Sequence, residues 1–483
     1  MCNAPQLFIC KFRYRLHFFK ESKTEIERRK LEARKTLTKK NEEDLEIDFE
    51  EVYQPGSVLD IPIRPRWSYS MSKAKLEANE EKYFQGYLDG IFDAYATEGL
   101  SYFEMNLETW RQLWRVLEMS DVILLIVDIR YPVLHFSPVL YSYVTERLHK
   151  HVIVVLNKID LVPASVVTAW KHYLLEKYPY LKVVLFTSFP KEYIQGGENE
   201  QQVKAKKKRK KGGRFTQASG ARELLRVCED IVGDKVDLSS WEEKLDMEGS
   251  WPEGEGEEES EDEEDSGPTE QEMFKDGVLT LGCVGYPNVG KSSVVNGLVG
   301  KKVVSVSRTP GHTKHFQTIY LTSTVKLCDC PGLVFPSLID KSLQILAGIY
   351  PIAQVQEPYT PVGFIGERID IPSILHLQHP AGDTEWSAYD ICEAWAKRRG
   401  FITAKASRPD VYRAANNLLR MALDGRLCVS LKPKGYTEEK CKIYKCILKL
   451  EIFGKKHKPG LLLSILIHFL LITIHVLVTS AVY

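Results

Sequence analysis

Eight consecutive residues, Gly285-Tyr286-Pro287-Asn288-Val289-Gly290-Lys291-Ser292, have the types and spacing of a loop that cradles phosphate. Gly285 opens the turn, and its backbone N–H groups, including that of Val289, would surround a β-phosphate. Gly290 would let the chain approach closely and Lys291 would reach the β- and γ-phosphates. Ser292 would ligate Mg²⁺, with Ser293 beside it at the start of a helix. Asp329-Cys330-Pro331-Gly332 ends a later apolar run. Asp329 is placed to support the same Mg²⁺, and the Gly332 N–H to sense a γ-phosphate. Between the two lies the polar, punctuated Arg308-Thr309-Pro310-Gly311-His312-Thr313. One threonine there should ligate Mg²⁺ in the triphosphate state, Thr313 by preference and Thr309 as the alternative. Lys291, Thr313 and Gly332 are therefore the expected catalytic group.

A second motif precedes the first. Asn157-Lys158-Ile159-Asp160 follows an apolar run. The Asp160 carboxylate can accept two hydrogen bonds from guanine N1 and its exocyclic amine, which adenine does not offer. Lys158 can lay its aliphatic stem over the ring, and Asn157 can stitch this loop to the phosphate loop. Thr187-Ser188, after the next apolar run, would support the base from the other side. The combination points to GTP or GDP rather than ATP.

These loops need strands to carry them. Val122 to Val127, Val152 to Leu156 and Val183 to Phe186 are short apolar runs of the kind buried on both faces of a parallel sheet. Val278 to Val284 leads into the phosphate loop, and Thr318 to Thr322 and Thr324 to Cys328 are further strand candidates. Helical spacing covers Lys73 to about Met119, Pro138 to Leu148, Val166 to Glu176 and Gly220 to Val232. The expected fold is an α/β P-loop GTPase domain over residues 51–340. In an open sheet of this kind the ligand lies outside the carboxyl ends of the strands. With the base motif first, a normal site can form only if the domain is circularly permuted. The joint would run through Gly233–Asp276, which lacks core periodicity and is expected to be an acidic, partly disordered linker. Residues 341–440 suggest a small, mainly helical C-terminal domain, with helices at Asp390–Lys397 and Asp410–Leu423. Residues 1–50 look like a charged arm.

Formal charge is zero, 65 basic against 65 acidic residues, but the charges are segregated. Seven of the eight residues from Lys204 to Lys211 are basic, and ten of the thirteen from Glu253 to Asp265 are acidic. Such runs are either solvated linkers or contacts for nucleic acid or a charged partner. Ser260 and Ser266 are candidate phosphoacceptors. The ten cysteines lack zinc spacing. No signal peptide opens the chain, so an intracellular setting, nuclear, nucleolar or cytoplasmic, is expected. Residues 461–483 are uncharged and mostly aliphatic after Lys455, Lys456 and Lys458. This part of the 441–483 tail is either a membrane anchor or an atypical terminus.

From Glu51 to Lys440 the sequence resembles the circularly permuted GTPases of the YlqF/YawG type. The likeness rests on Asp128-Ile129-Arg130, Asn157 to Asp160, Thr187-Ser188, Gly285 to Ser292, Arg308 to Thr313 and Asp329 to Gly332. The first 11 residues and everything after Lys440 depart from it. The resemblance implies slow GTP hydrolysis, Mg²⁺ dependence and a C-terminal domain used for protein contact. It also implies a role in assembly of a ribosomal subunit or another RNA–protein particle. Leu333 stands where many small GTPases place a water-orienting glutamine, and leucine cannot do that job. Asn288 matches an asparagine that helps hold K⁺ in related potassium-activated GTPases. The alternative function is a nucleotide-gated protein scaffold with negligible turnover.

Overall fold

The structure, a computed structural model, describes residues 22–53, 59–68, 70–96, 99–188, 218–246, 273–306, 316–403 and 407–437. The chain enters through α1 (Lys23–Glu32) and β1 (Glu46–Ile47), then forms α2 (Lys73–Ala94) and α3 (Leu107–Met119). Three strands follow, β2 (Val122–Asp128), β3 (His151–Asn157) and β4 (Lys182–Leu185), with α4 (Ala164–Lys177) before the last. Next come α5 (Ala221–Val232), α6 (Ser239–Asp246), β5 (Leu279–Val284), α7 (Lys291–Val299), β6 (Gln317–Thr322) and β7 (Val325–Asp329). A helical region holds α8 (Lys341–Leu346), α9 (Tyr359–Gly366), α10 (Ala388–Arg399) and α11 (Val411–Leu423), and ends at β8 (Lys432–Pro433).

One sheet runs in the order β4-β3-β2-β5-β7-β6, parallel except for β6. Strand β2 is buried at every position, as its uninterrupted Val-Ile-Leu-Leu-Ile-Val run requires of a strand covered on both faces. It pairs on one side with β3, Asp128 opposite Asn157, and on the other with β5, Leu125 opposite Val284. The strand that feeds the phosphate loop thus lies centrally, although it comes late in the chain. That is the permuted order expected from the motifs, and the described motif loops, after β3, β4, β5 and β7, leave the same edge of the sheet.

Three expectations change. The charged segment 22–50 is not a free arm: Ile26, Ala33 and Phe49 are buried. β1 pairs in parallel with β8, Leu37 N–H donates to Trp386 O at 2.8 Å, and Tyr389 N–H donates to Ala33 O at 3.1 Å. Its apolar residues are too sparse to show a period, yet Ile26, Ala33, Phe49 and Val52 are buried while Leu31 stays exposed. The interval from Gly233 is likewise structured at its start. There α6 buries Trp241 and Leu245, and Lys244 Nζ donates to Leu321 O at 2.8 Å. Two apolar residues a helical turn apart among charges were too weak a signal. Finally, the helical stretch to Met119 breaks in two: residues 100–106 form no helix, and Ser101 and Glu104 hydrogen-bond the segment after Gly332.

Among the described residues no helix is long and apolar enough to cross a membrane. Thr309, Thr313, Lys204–Lys211, Glu253–Asp265 and the 441–483 tail lie outside them.

Phe49 packs against Phe136 at 5.3 Å between ring centroids, with Tyr173 and Tyr178 on its other sides. Phe49→Ala should therefore cost about 3–5 kcal/mol, read as a lower urea midpoint. Exposed Arg28→Ala should change it by less than about 0.5 kcal/mol. An unchanged midpoint for Phe49→Ala would show that the segment is only draped on the surface.

Candidate functional site

β5 hands over to the phosphate loop at Gly285, and three loop residues take left-handed backbone angles: Gly285 at φ 151°, Asn288 at φ 58° and Gly290 at φ 102°. Such angles favour glycine. At Gly290 a Cβ would also collide with the Asn157 amide. Lys291 begins α7 with its side chain folded back, Nζ donating to Gly285 O at 3.0 Å and Tyr286 O at 2.8 Å. Burial lowers its pKa, and the Asp329 charge opposes that shift.

Ser292 Oγ donates to Asp329 Oδ2 at 2.8 Å, while Asp329 Oδ1 is buried without a hydrogen-bond partner. Burial pushes the Asp329 carboxyl up to about 6, against the pull of Lys291 and Ser292. A hydroxyl beside a carboxylate with one open oxygen is a hard oxygen donor pair, the kind that suits Mg²⁺ alongside phosphate. Gly332 lies so close to the phosphate loop that a Cβ would sit 2.7 Å from Pro287 Cα. Leu333 is buried and its N–H donates to Gly285 O at 3.3 Å.

On the neighbouring side, Asn157 Nδ2 donates to Val289 O at 2.8 Å, so the base loop is tied to the phosphate loop. Lys158 has φ 64°, and its Nζ donates to Asp128 Oδ2 at 2.8 Å and to Asn288 O at 2.5 Å. The Asp160 carboxylate accepts from Thr187 Oγ1 at 2.7 Å. Ser188 Oγ donates to Ser293 O at 3.3 Å, joining the fourth strand's loop to α7. The structure therefore brings together Asn157, Lys158, Asp160, Thr187, Ser188, Gly285, Asn288, Val289, Gly290, Lys291, Ser292, Ser293, Asp329 and Gly332. Of the proposed set, Thr313 lies outside the described residues.

Sequence reasoning missed three supports. Ser219 pairs with Thr187 across a short antiparallel bridge. Residues 101–104 clamp the segment after Gly332: Ser101 N–H donates to Ser337 O at 3.1 Å and Glu104 N–H to Val334 O at 3.0 Å. Asn288 Nδ2 donates to Gly348 O at 2.8 Å, which joins the phosphate loop to the helical domain. The partners Ser219, Ser101, Glu104 and Gly348 lie in no recognisable motif, so no local signal points to them.

His135 is wholly buried between Tyr131 and Tyr286 of the phosphate loop, and burial pushes its pKa down to about 3 from 6.5. Folded His135 stays neutral where the unfolded chain binds a proton. Stability should therefore fall as pH drops from 6.5 toward 3, by at most about 1.4 kcal/mol per pH unit from this group. Urea unfolding at several pH values should show that His135→Phe flattens this acid limb; an identical slope would remove His135 as its source. Gly290→Ala should weaken guanine-nucleotide binding by at least about tenfold, the loss of one strong hydrogen bond. Titration calorimetry measures this, and unchanged affinity would show that the loop tolerates the added methyl.

The model of the 50S ribosome-binding GTPase family matches residues 280–356, the part holding the phosphate loop and Asp329 but not the base loop. Guanine nucleotide-binding protein-like 1 from Macaca fascicularis and from Homo sapiens are each 57% identical over 451 residues, 89% of this chain and 74% of theirs. Large subunit GTPase 1 of Saccharomyces cerevisiae is 32% identical over 407 residues, 79% of this chain and 60% of its own length. With the permuted sheet, the paired nucleotide loops and this identity over most of its length, the chain belongs to the circularly permuted, GTP-binding GTPase family of guanine nucleotide-binding protein-like 1.

Proposed function

We propose that this chain is a slow GTPase whose nucleotide state controls a step in assembly of a ribosomal subunit or similar RNA–protein particle, in the nucleus, nucleolus or cytoplasm. The observation that carries slow turnover is Leu333. Its side chain is buried and its backbone is tied to Gly285, so it cannot orient water in the way a glutamine does. In this reading Asp160 selects guanine, Lys158 covers the ring, and Thr187 and Ser188 brace the base loop. Lys291 turns from the loop carbonyls to the phosphates, and Gly332 senses the terminal one. Ser292 and Asp329 would hold Mg²⁺ together with Thr313, and the ion would neutralise charge on the outer phosphates. Asn288 is the residue through which K⁺ would act. The yeast relative's name, a large-subunit GTPase, supports the ribosomal partner.

The second reading is a nucleotide-gated scaffold. It is favoured by the unbroken path from Gly332 through the clamped segment into the helical domain, which would present nucleotide state to a protein without turnover.

Steady-state GTP hydrolysis by the full chain, in K⁺ and then Na⁺, with and without purified ribosomal subunits, separates the two. The assembly GTPase predicts stimulation by subunits, reduced on the order of 10²–10³-fold by Lys291→Ala. Tight GTP binding with no hydrolysis in any condition would favour the scaffold. Asp160→Ala should lower the GTP-over-ATP preference by at least about 100-fold; an intact preference would remove Asp160 as the base reader.

A further inference from the structure

The Asp128-Ile129-Arg130 motif has no role in the chemistry above, yet its side chains are held by several buried hydrogen bonds. Arg130 and Asp128 are both fully buried. Arg130 Nε donates to Asp128 Oδ1 at 3.0 Å and one terminal nitrogen to Oδ2 at 2.8 Å; the other terminal nitrogen donates to Ala422 O at 2.9 Å. That carbonyl belongs to the last turn of α11, the negative end of its dipole. The same Asp128 Oδ2 accepts from Lys158 Nζ. Although burial alone would raise the Asp128 pKa, Arg130 and Lys158 hold it far below the usual carboxylate range.

Other contacts run in parallel. Leu431 N–H donates to Arg130 O at 2.8 Å, Trp170 Nε1 donates to Leu431 O at 3.0 Å, and Cys428 Sγ donates to Leu161 O at 3.5 Å. Gly425, at φ 73°, lies so close to Leu161, the residue after Asp160, that a Cβ would come within 2.7 Å of it. Residues 422–431 of the helical domain thus form the back wall of the base loop.

A buried ion cluster is not needed to glue two domains, since well-packed apolar residues do so at least as well. What the planar guanidinium supplies is direction: one group that fixes a carboxylate and a helix end at set angles. We propose that Arg130 is a positioning residue that couples docking of the helical domain to Lys158, so that a partner moving this domain changes the residence time of the guanine nucleotide. The proposal rests on the reading of Lys158 as the residue covering the base. Coupling of this kind is reciprocal, so nucleotide must in turn order residues 422–431.

Release of a fluorescent GDP from the full chain by stopped flow tests it. Arg130→Lys keeps a cation for Asp128 but cannot reach both partners, and should release GDP several-fold faster; Arg130→Met should do so about tenfold faster. If Arg130 acts through Lys158, the Arg130→Met/Lys158→Met double variant releases no faster than Lys158→Met alone. GTP and ITP affinities should fall together in these variants, because ring coverage does not read the exocyclic amine. In hydrogen exchange, GDP should protect 422–431 in the natural chain and not in Arg130→Lys. Multiplicative effects in the double variant, natural release rates in both Arg130 variants, or GDP-induced protection retained in Arg130→Lys would each overturn the coupling. Failure of the base-site reading shows separately: Asp160→Ala would then leave the GTP-over-ITP ratio unchanged.

Discussion

A buried amide at the centre of the site joins the base loop to the phosphate loop. Asn157 at the end of β3 donates to the Val289 carbonyl in the phosphate loop, from a position 132 residues earlier in the chain. The bond exists only because β2 lies between β3 and β5 and both neighbours run parallel to it, so their loops emerge at one edge. The glycine at 290 leaves space for it, and Lys158, Asp160 and Thr187 take their places relative to that joint. Chain order is irrelevant to this constraint. A sheet needs its strands in the right spatial order, and the connection between α5 and β5 can supply what the ends of an unpermuted domain would otherwise supply.

Around that joint one half of the site carries the Asn157–Asp160 loop and the other the Gly285–Ser292 loop, and the helical domain touches both sides. Asn288 reaches Gly348 from the phosphate side, and Arg130 reaches Ala422 from the base side. The segment after Gly332 is a third connection, clamped by Ser101, Glu104 and the Gln344 amide, which pairs with both backbone groups of Tyr102. Residues 331–337 are buried. A change at Gly332 is therefore passed into packed structure, which responds by discrete rearrangement more than by local bending.

The segment 22–53 adds a strap. It runs from the helical domain, along β8, to the aromatic cluster around Phe49, and Tyr53 Oη lies 3.3 Å from the phosphate-loop Tyr286 Oη. Asp48 pairs with Lys177 at 2.6 Å at a partly buried position, and burial of Phe49 and Val52 adds apolar adhesion. Leu333 is buried beside the phosphate loop, its N–H donating to Gly285 O at 3.3 Å, and its side chain carries no polar group.

Sequence by itself determined the nucleotide class, the permuted order and the strands that carry the loops. These were legible because phosphate and base recognition use contiguous residues, and because a strand buried on both faces must be apolar throughout. Of the helices in the C-terminal region, α10 and α11 were readable for the same local reason. Only the tertiary structure decided what holds the loops in place. Arg130 meets Ala422 across 292 residues, Tyr53 meets Tyr286 across 233, and Ser101 meets Ser337 across 236. It also decided that a charged N-terminal segment is part of the core and that α6 belongs to the domain. Local pattern carries no trace of such pairings, because a buried charge or a lone apolar residue is justified only by a partner that the fold brings to it.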